Sequence, residues 1–256
     1  MTLYPLSANM KILRAQEHFE ALETVIARWL DPPPYTVTIK EDVNQGIYLC
    51  NIAMHIAPND IPKILGDFIC NLRSSLEHIA WQLSQLPPKR TFTKSELKRI
   101  CFPVFEQRDR AYENLRGLFP PAVANVIDDL QPFNRGAAFP DHPLWQLHKL
   151  WNLDKHCVIP VSPTSMEFSF PHSNWQAIAR MRVFEDHLEV RFPLRVAWES
   201  PVKFEPKVSI KMLFGEADGE GLIVSWVRLR EIYDFVRHDA IPRFATFFAD
   251  APASAR

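Results

Sequence analysis

Glycine is scarce in this chain of 256 residues, which contains 7 glycines and 22 prolines. Neither the G-x-G-x-x-G fingerprint of dinucleotide-binding folds nor the G-x-x-x-x-G-K-[ST] phosphate loop occurs. Both motifs need closely spaced glycines, because the backbone has to approach a phosphate group. The sequence therefore excludes nucleotide chemistry of these two kinds, and we expect no cofactor.

Cysteine is also sparse, and the 4 cysteines are Cys50, Cys70, Cys101 and Cys157. They form no Cys-x-x-Cys pair, which argues against a zinc knuckle. His148, Asp154 and His156 are of metal-binding types, but Asp154 and His156 are two positions apart and do not share a helix face. The sequence therefore predicts no metal site.

The chain lacks both a strong net charge and a long apolar run. The formal net charge is −1, which argues against non-specific coating of nucleic acid but leaves room for a local basic cleft. No run of about 18 apolar residues occurs, and residues 1–11 lack the charged and apolar regions of a signal peptide. We therefore expect no membrane segment and a cytoplasmic protein.

What the sequence does contain is the pattern of an α+β fold. Hydrophobic residues make up 47% of the chain, enough for a sizeable core. Helical periodicity covers residues 7–30, 60–86 and 143–155, and alternation predicts a hairpin over 35–57. Residues 93–96 form a predicted capping box. Beyond Cys157, alternating segments predict an antiparallel sheet, and residues 222–248 predict a closing helix kinked at Pro242.

The predicted fold class is α+β, with a helical bundle core and an inserted β-hairpin, followed by an antiparallel sheet and a C-terminal helix. The predicted parts are residues 1–157, a helical bundle with hairpin 35–57, and residues 158–256, a sheet with a closing helix packed on the first part. A single domain is the alternative, because no linker-like composition separates the two parts.

The most informative segment is the predicted helix over residues 67–83. At about 100° per residue, its apolar and polar side chains fall on opposite sides. The apolar side comprises Phe68, Leu72, Leu76, Ile79 and Leu83, and the polar side comprises Asp67, Asn71, Ser74, His78 and Gln82. Arg73 and His78 form an Arg-x-x-x-x-His motif. Polar stripes on mostly apolar helices cost stability unless they are matched, and functional sites often carry that cost.

Residues 142–157 repeat this arrangement. One side of the helix carries Trp145, His148, Asn152, Lys155 and His156, and the other carries Leu147, Leu150 and Leu153. If the two helices pack together, their polar side chains converge in one candidate site. That site would contain Arg73, His78, His148, Asn152, Asp154, Lys155 and His156. A structural interpretation instead makes His78 a core histidine bonded to Asn152, and makes Asn71 and Asn152 polar groups that fix helix register.

Four segments carry a resemblance to known proteins. They are NLRSSLEHIAWQL at 71–83, FPVF at 102–105, LQPF at 130–133 and LDKH at 153–156. With them, most of the first 160 residues resemble a family of uncharacterised bacterial proteins, which implies no function. More distantly, a helical bundle with Arg-x-x-x-x-His is similar to the HEPN superfamily, which includes metal-independent endoribonucleases that often dimerise across the motif helices.

The HEPN resemblance implies a role for each motif residue. Arg73 would stabilise the transition state, and His78 would act as general acid or base while a ribose 2′-OH attacks the adjacent phosphodiester. The residue types suit this chemistry, because imidazole titrates near neutrality and guanidinium grips phosphate at two points. The resemblance also implies RNA as a partner and a homodimer.

The first functional hypothesis is therefore a HEPN-like, metal-independent endoribonuclease of a toxin or defence type. Its catalytic residues would be Arg73 and His78, and its substrate-binding residues would be Asn71, His148, Asn152, Lys155 and His156. The alternative is a non-catalytic α+β binding or interaction module with a protein partner, whose polar helix stripe is structural or ligand-recognising. A metal-assisted hydrolase is the third hypothesis, and it would need stoichiometric bound metal.

Overall fold

The structure is a computed structural model and describes residues 5–87, 90–157, 159–169, 180–183, 187–193, 207–215 and 222–249. It is an α+β fold, as the sequence predicts. The α-helices are α1 (Leu6–Leu30), α2 (Asp60–Ser84), α3 (Lys94–Leu97), α4 (Arg110–Arg116), α5 (Pro121–Asp129), α6 (Pro143–His156), α7 (Trp226–Asp234) and α8 (Thr246–Ala249). The strands are β1 (Tyr35–Asp42), β2 (Ile47–Met54), β3 (Val161–Ser169), β4 (Arg180–Val183), β5 (His187–Pro193), β6 (Lys207–Gly215) and β7 (Ile223–Ser225).

The chain divides into two compact units. The first, which we call the helical unit, comprises Met1–Glu23, Asp60–Val161 and Leu213–Arg256. The second, the sheet unit, comprises Thr24–Asn59 and Ser162–Met212. These units differ from the two consecutive ranges predicted from the sequence, because the hairpin belongs with later strands and the C-terminal helices belong with the bundle.

Pairing between the hairpin and a later strand explains the composition of the sheet unit. Its four-stranded sheet has the order β1-β2-β5-β4, and all of its pairs are antiparallel. Cys50 of β2 lies opposite Ile39 of β1 and Val190 of β5. Cys50 and Val190 are buried, so the apolar face of the hairpin is completed by a strand far away in sequence. A second sheet has the order β3-β6-β7.

The core of the helical unit is built around α2. The apolar side predicted for this helix is confirmed, because Phe68, Leu72, Leu76, Ile79 and Leu83 are all fully buried. Phe19 of α1 contacts the Phe68 ring at a centroid distance of 5.2 Å and stacks on Trp226 of α7 at 4.7 Å. These contacts hold α1, α2 and α7 together, which leaves another side of α2 for α6.

The capping box predicted near residue 93 is confirmed, but the closing helix is broken into shorter pieces. Thr93 accepts a hydrogen bond from the Glu96 N–H, and the Glu96 side chain accepts one from the Thr93 N–H. The predicted helix over 222–248 begins as strand β7, and α7 starts at its N-cap Ser225. A π-helical turn over Phe235–Ala240 and a 3₁₀ turn at Pro242–Phe244 follow. Pro242 has no N–H to donate and therefore interrupts the regular ladder.

Candidate functional site

Helices α2 and α6 pack against each other, as the candidate site requires. Gly66 lies near the N-terminus of α2 and meets Asp154 near the C-terminus of α6. One to two turns further along α2, Arg73 meets Trp151 of α6. The two helices therefore run antiparallel. A Cβ atom on Gly66 would lie 2.5 Å from Asp154 Oδ1, so glycine permits the close approach.

Arg73 is buried at the edge of this interface, with 3% of its surface exposed. Its Nη2 donates a hydrogen bond of 2.8 Å to the Phe102 carbonyl oxygen and lies 2.5 Å from Glu77 Oε1. Glu77 Oε2 accepts a 3.0 Å hydrogen bond from the Phe102 N–H. Together, Arg73 and Glu77 therefore bind the backbone carbonyl oxygen and the backbone N–H of Phe102, which lies in the segment between α3 and α4. The Nε and Nη1 atoms of Arg73 and the Oε1 atom of Glu77 are buried without a hydrogen-bond partner in the described part of the chain.

Two cations lie over the Trp151 ring. Arg73 Cζ is 5.2 Å from its centroid, and Lys155 Nζ is 2.9 Å from it. Lys149 Nζ likewise lies over the Trp145 ring, 5.6 Å from its centroid. Cations are attracted to the faces of aromatic rings. Because lysine covers a face of each ring, these tryptophans suit packing better than base stacking.

His148 lies one turn before Trp151 on α6 and faces the same interface. Its ring centroid is 6.2 Å from that of Trp151 and 6.1 Å from that of Trp145. His148 Nε2 is 3.0 Å from Asn152 Nδ2, whereas His148 Nδ1 is buried without a partner among the described residues. The predicted hydrogen bond between His78 and Asn152 is therefore wrong, because Asn152 pairs within its own helix at i, i+4 spacing.

Burial and neighbouring charges shift the pKa values of several side chains at this interface. Burial lowers the pKa of Arg73, and the Glu77 carboxylate opposes this shift. Burial, with Arg73 and Lys155 nearby, lowers the pKa of His148 to about 4. Burial also lowers the pKa of Lys155, and raises that of Cys101 to about 11. At neutral pH His148 is therefore uncharged.

Among the described residues, Asp154 meets Gly66 at this interface, whereas His78, Asn71 and His156 make no hydrogen bond, ion pair or ring contact with Arg73, His148 or Trp151. His78 is half-buried and makes no hydrogen bond or ion pair with another described residue. Asn71 accepts a 3.3 Å hydrogen bond from Lys11 Nζ and donates one of 2.8 Å to the Asp67 carbonyl oxygen. His156 is exposed at the end of α6, and burial raises the pKa of the half-buried Asp154.

The structure therefore brings together Arg73, Glu77, His148, Trp151 and Lys155, which we call the polar cluster. The sequence predicts three of them, Arg73, His148 and Lys155, as site residues. It does not identify Glu77 as the ion-pair partner of Arg73, or Trp151 as the ring that the other residues contact. The i, i+4 spacing of Arg73 and Glu77 was an available signal for the ion pair. Nothing local indicated that the Phe102 backbone would complete it.

Two classes of site find no support in the part of the chain that the structure describes. No group of three or more His, Cys, Asp or Glu side chains in those residues could hold a metal ion. None of the described helices is long and apolar enough to cross a membrane.

Comparison with known proteins adds no assignment to this geometry: no family model, curated protein or solved structure matches the chain. The resemblances to the bacterial family and to the HEPN superfamily therefore stay predictions from the motifs alone. What the structure establishes is the α+β fold and the contacts within the polar cluster.

Proposed function

We propose that this protein is a non-catalytic binding module whose polar cluster receives a polar or charged group of a ligand. The observation that carries the proposal is the state of Arg73, whose guanidinium is buried with Nε and Nη1 unpaired among the described residues. A buried charge without its full set of hydrogen bonds is costly. Departures of this kind from a well-matched core are expected where a protein binds something.

The same geometry favours binding over the ribonuclease hypothesis. Residues five positions apart lie about 140° apart around an α-helix. Arg73 is buried against Trp151 and Phe102, whereas His78 lies on the half-buried polar side of α2. A general acid or base must lie within hydrogen-bond reach of the group on which it acts. A phosphodiester between His78 and Arg73 would require Arg73 to leave its buried contacts.

Binding is tested by following the thermal midpoint of the purified full chain against a ligand panel. The panel contains carboxylic acids, amino acids, phosphates, nucleotides, sugars and short RNA. We expect at least one class to raise the midpoint in the wild type but not in Lys155→Gln, which removes a charge from the polar cluster. Lys63→Gln is the matched control, because Lys63 is an exposed residue of α2 that pairs with Asp60. If no class raises the midpoint, the binding proposal is contradicted.

Catalysis is tested with the same preparation and a pool of short RNAs in the presence of a chelator. We expect no 2′,3′-cyclic phosphate ends to accumulate above a mock-purified control. Cleavage by the wild type that disappears in a folded His78→Ala variant would overturn the proposal in favour of the ribonuclease.

The remaining expectations accompany the proposal as predictions. RNA and a homodimer follow from the HEPN resemblance, and a protein partner follows from the interaction-module hypothesis. Sedimentation of the purified chain over a range of concentrations tests the dimer directly.

A further inference from the structure

We infer that the free edge of strand β1 pairs with β1 of a second copy of this chain, antiparallel and centred on Val37. The product is a two-fold dimer in which the four-stranded sheets of the two copies join at their β1 edges. The inference concerns a surface of the sheet unit and does not depend on the polar cluster. It follows from the place of β1 in the sheet, its hydrogen-bonding groups, its sequence and its partly exposed apolar side chains.

Strand β1 lies at the edge of the four-stranded sheet. In the order β1-β2-β5-β4 it has β2 on one side and no described strand on the other. Its 8 residues, Tyr35–Asp42, pair with β2 in one unbroken register, so no bulge distorts the edge. A regular edge strand presents a row of unpaired N–H and C=O groups, which is a template for another strand.

The pairing with β2 shows which backbone groups of β1 point to the free edge. The His55 N–H donates to the Pro34 carbonyl oxygen at 2.8 Å. This bond makes Tyr35 and Met54 a pair that exchanges no hydrogen bonds with each other. Such pairs alternate with hydrogen-bonded pairs along an antiparallel ladder. Every second residue of β1, beginning with Tyr35, therefore directs its N–H and C=O groups away from β2.

These outward groups match those of a second β1 strand centred on Val37. At the two-fold axis, Val37 exchanges both backbone hydrogen bonds with Val37 of the second copy. On either side of the axis, the Ile39 N–H donates to the Tyr35 carbonyl oxygen of the other copy. The Tyr35 N–H already donates to the Pro33 carbonyl oxygen at 2.8 Å, so it needs no further partner.

The side chains of β1 are self-complementary in this register. Tyr35 lies opposite Ile39, and Thr36 lies opposite Thr38, on both sides of the axis. Aromatic–β-branched pairs and threonine pairs are among the cross-strand pairs that stabilise sheets. A second copy supplies both members of each pair, which favours it over an unrelated strand.

Charge and proline disfavour the neighbouring registers. The residues that follow Ile39 in β1 are all charged: they are Lys40, Glu41 and Asp42. Moving the centre towards them, with the outward groups still opposed, places Glu41 against Tyr35 or Val37 on the apolar side of the sheet. Moving it the other way places Ile39 opposite Pro33, which has no N–H to donate.

The pairing also covers apolar surface. Val37 and Ile39 share a side of the sheet with their β2 partners Ile52 and Cys50, because alternate residues face the same way. Cys50 is 1% exposed, whereas Ile39 beside it is 41% exposed. A strand added at the free edge continues this apolar side and sets Tyr35 of the second copy beside Ile39, which removes apolar surface from water.

Sedimentation velocity of the purified full chain over a range of concentrations measures the dimer, and amide hydrogen exchange followed by NMR locates it. We expect a reversible equilibrium between monomer and dimer, because the paired segment is short. The N–H groups of Val37 and Ile39 should exchange more slowly as the dimer fraction rises. The N–H group of Thr38 faces β2 and should change little.

Two matched double variants test the register. Thr36→Lys with Thr38→Lys places like charges opposite each other on both sides of the axis, and should weaken dimerisation about tenfold. Thr36→Glu with Thr38→Lys places opposite charges there and should dimerise at least as well as the wild type. Both threonines are exposed, so we expect both double variants to fold.

A proline variant tests the hydrogen bonds at the axis. Val37→Pro removes an outward N–H but no hydrogen bond to β2, and edge strands accept proline where the nitrogen faces away from the sheet. We expect this variant to keep the circular dichroism spectrum of the wild type and to remain monomeric.

Three results would overturn the edge-to-edge dimer. The first is a chain that stays monomeric at every concentration, which would leave the β1 edge to solvent or to a peptide of another protein. The second is equal dimerisation of the two double variants, which would place the interface elsewhere, for example across α2 as the HEPN resemblance implies. The third is a dimer in which the Val37 and Ile39 N–H groups exchange as fast as in the monomer. The last two results remain informative even if Val37→Pro does not fold.

Discussion

Arg73 and Glu77 lie one turn apart on α2 and bind the backbone carbonyl oxygen and the backbone N–H of the same residue, Phe102. Arg73 donates to its carbonyl oxygen at 2.8 Å, and Glu77 accepts from its N–H at 3.0 Å. Because the Phe102 side chain is itself fully buried, this arrangement fixes a loop, an ion pair and a core side chain together. Arg73 is thus built into the core of the helical unit, whereas Lys155 at the other side of the polar cluster is exposed.

Disrupting this ion pair should be strongly destabilising. We expect Glu77→Gln to lower the free energy of unfolding by about 3 kcal/mol, because it leaves the buried Arg73 charge uncompensated. Arg73→Met combined with Glu77→Gln should cost less than the sum of the single changes, since no isolated charge remains. Urea denaturation of the four proteins measures this coupling.

The control is the exposed ion pair of Arg14 and Glu17 on α1, whose side chains are 62% and 63% exposed. The equivalent changes, Arg14→Met and Glu17→Gln, should each cost less than about 0.5 kcal/mol. If the buried and exposed pairs gave the same values, Arg73 and Glu77 would not form the buried ion pair described above.

The outcome for α2 shows what periodicity can and cannot reveal. The spacing of Leu72, Leu76 and Leu83 predicts the buried side of the helix correctly, because that side follows from 3.6 residues per turn. The burial of Arg73 at the edge of that side depends on Phe102 and Trp151, which come from distant segments. Local spacing therefore places Arg73 on the helix but does not reveal that its guanidinium is covered.

The sheet illustrates the same limit. Local patterns predict both the hairpin and the alternating segment around Val190, and both form strands. Their pairing, with Cys50 opposite Val190, joins residues far apart in sequence. Several alternating segments satisfy the same pattern, so the strand order could not be derived from it. The predicted boundary at residue 157 missed this pairing for that reason.

The close approach of α2 and α6 predicts a coupling between Gly66 and Asp154. Gly66→Ala should displace the Asp154 carboxylate, because the new Cβ would lie 2.5 Å from its Oδ1. In an Asp154→Ala background, the same change should instead stabilise the helix by up to about 1 kcal/mol, as expected from helix propensity. Comparing the free energies of unfolding of the four proteins gives the coupling. Additive effects would show that the carboxylate does not limit the approach.

Cysteine reactivity should follow burial. Cys70 and Cys157 are exposed, whereas burial raises the pKa values of Cys50 and Cys101 to about 11. The thiolate is the reactive form, so at mildly alkaline pH we expect Cys50 and Cys101 to label at least about a hundredfold more slowly. Mass spectrometry of peptides after timed alkylation measures each rate. Rapid labelling of Cys101 in the folded protein would contradict its position beside Arg73 and Glu77.

Acid should destabilise the protein through two histidines, His142 at the N-cap of α6 and His148 within this helix. His142 is the N-cap of the helix, and its Nδ1 accepts a 3.2 Å hydrogen bond from the Leu144 N–H. Burial lowers the pKa of both His142 and His148 from 6.5 to about 4, with Arg135 and Arg228 adding to the shift at His142. Protonation of His142 would convert the capping acceptor into a donor and place a positive charge at a helix N-terminus.

The sign of this effect follows from proton binding. Between pH 6.5 and about pH 4, the unfolded chain binds protons at these histidines that the folded chain does not. The free energy of unfolding should therefore fall as the pH falls through this window, by up to about 1.4 kcal/mol per pH unit for each histidine. His142→Asn retains a capping acceptor without titrating, and His148→Phe removes the second group. Urea denaturation across the window should give a shallower slope for each variant and the shallowest for the double variant. A slope that is unchanged in the double variant would assign the acid sensitivity to other groups.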